Sequence, residues 1–249
     1  MSLLKLKSGL LWLSAAAIIA LPFYFWLMPG SEEIPKTKPS PTLNSKIKTQ
    51  FNKQLHPTDE ADSLWVVVNK GRLLPADYVP DLVAPYQMRP AASSGLDELF
   101  AAAAKAGNSL KVTSSYRSYQ TQASVYGNYA QTYGQAQADT FSARPGHSEH
   151  QTGLAVDVEP ADGRCRLNQC FGQTAEGRWL AEQAYRYGYI IRYPNGKQAL
   201  TGFIYEPWHL RYVGRDLARQ LKGSELTLEQ FFSLKAYNDY PLTQLELKP

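Results

Sequence analysis

Four side chains in the second half of the chain have the types and spacing of a catalytic metal site. His150 and Asp157 lie seven residues apart in SEHQTGLAVD, and Glu206 precedes His209 by three residues in EPWH. A catalytic zinc takes three nitrogen or oxygen ligands from the protein and leaves a fourth position for water. The two histidines and Asp157 are suitable ligands, and Glu206 is then available as a general base. The alternative is a pair of surface or capping histidines and a salt-bridged Asp157.

His147 is a rival ligand, because it forms an H-x-x-H pair with His150. It lies in the Arg-Pro-Gly turn before the motif, so we expect it on the substrate side of the site or in a structural role. Asp157 lies in the apolar segment LAVDV, where an unpaired carboxylate would be costly. A metal ion would compensate that charge, and Ala155 on the same face would leave room for the ion.

The elements that must position these residues alternate irregularly between strand and helix. Apolar runs predict strands at 64–68, 110–113, 154–158, 189–193 and 208–213. Helices are predicted from residue 94 to 107, from the cap Ser118 to about Tyr133, from the cap Thr174 to Tyr187, and at the capping box Thr227-x-x-Gln230. Residues 139–153 are predicted to form a loop. This order favours an α+β fold and lacks regular βαβ repeats.

Composition indicates a globular protein whose positive charge is confined to one end. Of the 249 residues, 44% are hydrophobic and 19% are charged. Residues 1–58 contain seven lysines and two glutamates, a charge of +5, whereas the rest carry 19 basic and 20 acidic side chains, a charge of −1. The folded part is therefore not expected to bind nucleic acid. No obligate protein partner is evident either.

The N-terminal segment has the pattern of a membrane anchor. Residues 9–28 form a run of 20 without a charge, and a helix of that length spans the bilayer core of roughly 30 Å. Lys5 and Lys7 precede the run, which predicts a cytoplasmic segment at 1–8 and everything after the run outside. A cleaved signal peptide is the alternative, but bulky residues before Pro29 disfavour cleavage. We expect a single-pass protein of the cell membrane.

The segment after the anchor is predicted to be an extracellular linker at 29–61, followed by one domain at 62–249. Prolines, lysines and few aromatic residues make a packed core unlikely in the linker. Cys165 and Cys170 lie five residues apart in CRLNQC. In an oxidising exterior such a pair can close a small disulfide, with two free thiols as the alternative.

At this point the motifs resemble a known family. S-x-H-x-x-G-x-A-x-D followed by E-x-x-H is similar to the VanY-type zinc D-alanyl-D-alanine carboxypeptidases, which share the hedgehog/DD-peptidase fold. The segment SSYRS at 114–118 with Gln122, the ARPG at 143–146 and the stretch 69–78 match as well, so the resemblance covers about 64–213. It implies a small antiparallel sheet flanked by helices, and hydrolysis of peptidoglycan stem peptides.

The resemblance implies roles for particular residues. His150, Asp157 and His209 would bind Zn²⁺, and Glu206 would be the catalytic base. Arg117 would be the cation beside the scissile carbonyl, where it would contact either a developing oxyanion or a terminal carboxylate.

The substrate-binding residues implied are less distinctive. Ser148 and Gln122 would hold the terminal D-residue, and His147, where many relatives have Tyr, would affect substrate fit. Trp208 would line the pocket or belong to the core. Three other activities stay open: an L,D-carboxypeptidase, an endopeptidase, and a zinc-stabilised wall-binding module without turnover.

Overall fold

The computed structural model describes residues 51–249. The predicted cytoplasmic segment, the anchor at 9–28 and most of the linker lie outside these residues. Among residues 51–249, no helix combines the length and the apolar character needed to cross a bilayer.

Helices and short strands alternate along the described chain, as the sequence predicts. The helices are α1 (Pro90–Lys105), α2 (Tyr119–Tyr133), α3 (Gln135–Ala138), α4 (Ala175–Gln183), α5 (Gln198–Thr201), α6 (Arg215–Ser224) and α7 (Leu228–Phe231). The strands are β1 (Arg72–Leu73), β2 (Leu110–Ser114), β3 (Ala155–Pro160), β4 (Tyr189–Tyr193), β5 (Glu206–Tyr212) and β6 (Leu245–Glu246). The α+β prediction is confirmed.

The main sheet has four strands in the order β2-β3-β5-β4, and every neighbouring pair is antiparallel. Within it, Asp157 of β3 lies directly opposite His209 of β5. Because side chains alternate across a strand, Val156 and Leu210 face the apolar core while Asp157 and His209 face the other way. The register of one strand pair therefore brings two chemically important residues together.

Local sequence signals set several helix starts. The Ser118 hydroxyl accepts a hydrogen bond from the Thr121 amide, and the Thr174 hydroxyl accepts one from Gly177, as capping residues do. The predicted capping box of Thr227 and Gln230 is present at α7. Two boundaries differ from prediction: α1 begins at Pro90, a favoured first helical residue, and α4 is followed by a 3₁₀ turn at Ala184–Tyr187.

The strand predicted at 64–68 is wrong, although Val66, Val67 and Val68 are fully buried. Side chains bind its carbonyls in place of a neighbouring strand, while the Val67 amide donates to the Thr58 carbonyl at 3.0 Å. Arg211 Nη2 donates to the carbonyls of Leu64 and Val66 at 3.2 and 2.7 Å, and Arg72 Nε donates to the Val67 carbonyl at 2.8 Å. Burial alone produced the apolar pattern, and the hydrogen-bond partners decided the backbone conformation.

The packed domain begins before residue 62, so the predicted linker boundary needs correction. The Phe51 ring lies 5.6 Å from that of Trp65 and packs with α6 and α7 in a second apolar cluster. Ala61 is fully buried, and its amide donates to the Lys248 carbonyl at 2.7 Å. Apolar residues within a largely polar stretch thus tie 51–61 to the domain.

Candidate active site

Three potential metal ligands meet where β3, β5 and a preceding turn converge. His150 comes from the 3₁₀ turn Glu149–Thr152, just before β3. Its Nε2 lies 3.2 Å from Asp157 Oδ2, and His209 Nδ1 lies 3.2 Å from Asp157 Oδ1. One donor atom from each residue lies within 4.8 Å of the others, and all three residues are buried.

Each histidine ring turns one nitrogen toward this cluster and the other toward a protein oxygen. His150 Nδ1 donates to the Ser115 carbonyl at 2.6 Å, and His209 Nε2 faces Glu149 Oε2 at 3.5 Å. Such second contacts orient the histidine ligands of metal sites.

The donor set fits a zinc ion. Two imidazole nitrogens and a carboxylate form a common catalytic zinc set, and ligand atoms about 2.0–2.1 Å from a tetrahedral ion lie roughly 3.3 Å apart. Asp157 Oδ1 is buried and has no hydrogen-bond partner among residues 51–249. A cation at this position would satisfy that acceptor.

Glu206 lies beside the cluster at the start of β5, paired with Tyr193 of β4. Its Oε2 is 3.8 Å from His209 Nδ1. Burial raises the pKa of the Glu206 carboxyl to about 8, with His209 opposing the shift and Asp157 adding to it. A carboxyl group with such a pKa can exchange a proton near neutral pH.

Arg117 extends into the same cavity from the loop between β2 and α2. Its Nη1 donates to Gln122 Oε1 at 2.9 Å, and its Nη2 donates to Ser114 Oγ at 2.8 Å. Gln122 Nε2 donates in turn to the Ala143 carbonyl at 2.6 Å. Both ends of the Gln122 amide are therefore hydrogen-bonded: its oxygen accepts from Arg117 and its nitrogen donates to the Ala143 carbonyl.

The cavity has a volume of about 240 Å³, and all of the residues predicted for the site except His147 line it. Ser148 and Trp208 lie in its wall with the three candidate ligands, Glu206, Arg117 and Gln122. Trp208 also belongs to the apolar core, so both expectations for this residue hold.

His147 does not line this cavity, which corrects its predicted contact with substrate. The ring is buried, its Nδ1 donates to the Asn69 carbonyl at 2.8 Å, and Tyr240 packs edge-on with ring centroids 5.0 Å apart. Burial lowers the pKa of His147. Tyr240 of the C-terminal segment covers this histidine, and the contacts of His147 are those of a structural residue.

Several lining residues were not predicted from the sequence. Tyr193 packs against His209 with ring centroids 4.9 Å apart, and Tyr129, Phe141 and Phe203 add aromatic surface to the wall. Tyr193 ends a strand that was predicted correctly, yet an apolar strand pattern does not indicate which residue reaches a cavity.

A disulfide-closed loop supplies another part of the wall. Cys165 and Cys170 are bonded, which is the first of the two alternatives that the sequence left open. Leu167 lies inside this loop, half exposed, and reaches the cavity. Arg164 donates to both oxygens of Glu176 at 2.8 and 2.6 Å, which ties the start of the loop to α4.

Comparison with known proteins assigns this arrangement to a family. Residues 85–215, which include every candidate ligand, Glu206 and Arg117, match the family model VanY, described as D-alanyl-D-alanine carboxypeptidase. The chain belongs to the VanY family. It is 38% identical over 217 residues to YodJ of Bacillus subtilis (strain 168), across 79% of this chain and 80% of YodJ.

Two solved structures of VanY relatives resemble the described domain. The LD-carboxypeptidase LdcB matches with a TM-score of 0.66 and 41% identity, covering 70% of this chain and 88% of LdcB. A variant of the vancomycin-resistance D,D-pentapeptidase VanY in complex with Zn(II) matches with a TM-score of 0.59 and 34% identity, covering 67% of this chain and 97% of that one. The fold is therefore the one these peptidases share.

Proposed function

We propose that this chain is a zinc-dependent carboxypeptidase that hydrolyses the C-terminal amide of peptidoglycan stem peptides. The observation that carries the proposal is one cavity in which His150, Asp157 and His209 present three donor atoms beside Glu206 and Arg117. A structural zinc site is closed by a fourth protein ligand and needs no neighbouring base. The arrangement therefore supports hydrolysis over a wall-binding role without turnover.

In this proposal His150, Asp157 and His209 hold the zinc ion. When bound, zinc supplies Lewis acidity, which polarises a carbonyl and lowers the pKa of water. The Glu206 carboxylate accepts a proton from the attacking water and then donates it to the leaving D-alanine amine. Burial suits Glu206 to both steps, because its raised pKa makes the carboxyl a stronger base than an exposed glutamate.

Arg117 binds an anionic oxygen of the substrate. Its hydrogen bonds to Gln122 and Ser114 hold the guanidinium in one orientation toward the cavity. That oxygen belongs either to the tetrahedral intermediate or to the terminal carboxylate, and both suit a fixed guanidinium. Ser148, in the cavity wall, is proposed to contact the terminal D-residue.

The substrate is proposed to be a pentapeptide stem that ends in D-Ala-D-Ala. A second candidate is the tetrapeptide stem, cut as an L,D-carboxypeptidase would cut it. That alternative is favoured by the similarity to LdcB, which has both the higher identity and the higher TM-score of the two solved relatives described above.

The place of action is proposed from the N-terminal sequence. The uncharged run at 9–28 would anchor the chain in the cell membrane, with the catalytic domain outside and close to the wall. The Cys165–Cys170 disulfide supports this side of the membrane, because disulfides persist in oxidising compartments.

Mass spectrometry of defined stem peptides tests the proposal. The purified full chain is incubated with pentapeptide and with tetrapeptide, before and after a chelator and after added zinc. We expect loss of one terminal D-alanine, abolished by chelator and restored by zinc, and the peptide that is cut identifies the specificity. An intact substrate in the presence of bound zinc would contradict the proposal and favour an endopeptidase or a binding module.

A further inference from the structure

Four charged side chains lie behind the proposed zinc site and form what we call the rear network: Glu149, Arg192, Arg211 and Glu229. All four are buried. Arg192 Nε and Arg211 Nη1 both donate to Glu149 Oε1, at 2.7 and 2.9 Å. Arg192 also donates to both oxygens of Glu229, at 3.0 and 2.5 Å. Glu149 Oε1 is therefore held by two charge-assisted hydrogen bonds.

The second oxygen of Glu149 faces the proposed zinc site instead of the arginines. Oε2 faces His209 Nε2 at 3.5 Å. Both atoms are buried, and neither has a hydrogen-bond partner within residues 51–249. Two facing atoms without other partners need only a small approach to form a hydrogen bond, and buried polar groups are rarely left unpaired.

The charge on Glu149 makes it a strict acceptor. Its Oε1 accepts hydrogen bonds from both Arg192 and Arg211, at 2.7 and 2.9 Å, and contact with two guanidiniums favours the carboxylate form. An ionised carboxylate accepts hydrogen bonds and donates none. The His209 nitrogen that faces Glu149, Nε2, must therefore carry the proton. The lone pair of Nδ1 is then available to bind a metal ion beside Asp157.

We propose that Glu149 is a positioning residue that holds the His209 ring and its tautomer for metal binding, an inference that rests on the proposed zinc function. Glu149 directly precedes His150 in the turn Glu149–Thr152. One turn thus places the first ligand through its backbone and orients the third through a neighbouring side chain. The rear network keeps the Glu149 carboxylate still while it does so.

An amide at position 149 tests this role more sharply than a truncation. In Glu149→Gln, the two arginine donors require the amide oxygen to occupy the Oε1 position. The amide nitrogen then faces His209 and donates to Nε2, which drives the imidazole proton to Nδ1, the nitrogen needed for metal binding. Size and packing are nearly unchanged, so the variant alters the hydrogen bond and the charge.

The measurement is zinc affinity, obtained by competition with a chromogenic chelator on the purified full chain. We expect Glu149→Gln to bind zinc about 10–100-fold more weakly than wild type, as changes to a ligand's outer partner do. Glu229→Gln is the matched control, since it removes one charge from the same network without facing His209. It should lower thermal stability while leaving zinc affinity near wild type. Equal losses in the two variants, or no loss in a folded Glu149→Gln, would overturn the proposal.

A second readout needs no variant. Long-range ¹H–¹⁵N correlation spectra of the zinc-loaded, histidine-labelled full chain identify the protonated nitrogen of His209. An Nε2 proton that is hydrogen-bonded, seen as a downfield resonance in slow exchange with solvent, supports the proposal. An Nε2 proton without these signs, or a proton on Nδ1, overturns it even if Glu149→Gln does not fold. A wild-type chain that binds no zinc would refute the proposed function itself, which separates the two failures.

Discussion

Buried charge occurs in two neighbouring groups, one lining the cavity and the other behind it. In the rear network two arginines face two glutamates, and the guanidiniums are paired with carboxylates at 2.5–3.0 Å. In the cavity group, Asp157 Oδ1 has no hydrogen-bond partner among the described residues, and the pKa of Glu206 is raised to about 8. The two groups are equally buried but differ in hydrogen bonding: the guanidiniums of the rear network are all paired, and its one carboxylate oxygen without a partner among the described residues, Glu149 Oε2, faces His209.

This difference indicates which group performs chemistry. Paired buried charges gain little by binding anything else and serve to hold a structure in one arrangement. Incompletely satisfied groups in a cavity are candidates for metal binding and proton transfer, because a ligand or a proton completes them. Substitutions in the cavity group should therefore affect activity, and those in the rear network should affect stability first, except at Glu149, whose second oxygen faces His209.

The largest effect is expected from the proposed ligand Asp157. Asp157→Asn removes the negative charge between the two histidines, so we expect the purified chain to lose its zinc and all measurable hydrolysis. Atomic absorption gives the zinc content. Asp216→Asn, at an exposed position of α6, is the control and should keep its zinc. Undiminished zinc in Asp157→Asn would remove Asp157 from the ligand set.

The next largest effect is expected at Glu206. Glu206→Gln keeps the shape of the side chain but cannot transfer the proton, and general acid–base catalysis contributes about 10²–10⁴-fold. We expect kcat to fall by that factor while zinc content stays at the wild-type level. Glu246→Gln, exposed in β6, should behave as wild type. Joint loss of zinc and activity in Glu206→Gln would argue against the base assignment.

The rear network should respond in stability. Arg192→Met leaves Glu149 and Glu229 buried without their shared partner, and breaking a buried ion pair costs about 3–5 kcal/mol. Arg215→Met breaks the exposed pair with Glu98 and should cost about 0–1 kcal/mol. Denaturant unfolding of both variants measures the contrast. Similar values for the two would mean that the buried network contributes no more than a surface ion pair.

Substitution of Arg117 should reduce the rate by a smaller factor. Whether kcat or KM changes identifies the part of the substrate that Arg117 contacts. Removing a donor to a developing oxyanion costs about 10²–10³-fold in kcat. If Arg117 binds the terminal carboxylate, Arg117→Gln should mainly raise KM. Steady-state kinetics on the preferred stem peptide distinguish the two, with the exposed Arg186→Gln as control. Unchanged kinetics would exclude Arg117 from the site.

The smallest effect is expected from the disulfide that carries Leu167 to the cavity. Replacing both Cys165 and Cys170 by Ser opens a short loop, for which the chain-entropy relation gives about 2 kcal/mol of stability. We expect the unfolding free energy to fall by about that amount and zinc binding to persist, because the loop contributes none of the proposed ligands. Loss of zinc in this variant would tie the loop to the metal site.

Much of the architecture was predictable because its signals are local. The caps at Ser118, Thr174 and Thr227 each accept a hydrogen bond from an amide three residues ahead, so the sequence window that encodes them also contains their partners. The α+β class and the strand at 189–193 followed in the same way. The predicted strand at 64–68 failed because arginine side chains bind its carbonyls, and one of them, Arg211, lies 145 residues from Val66.

The sequence by itself determined the candidate chemistry: a motif with His150 and Asp157, and a second with Glu206 and His209. Tertiary structure decided what surrounds them. It covered His147 with Tyr240, brought Tyr193 to the cavity, and gave Glu149 two arginine partners 43 and 62 residues away. The physical reason is range: a turn or a cap is satisfied by its neighbours in sequence, whereas a buried charge takes its partner from whichever strand the fold places beside it.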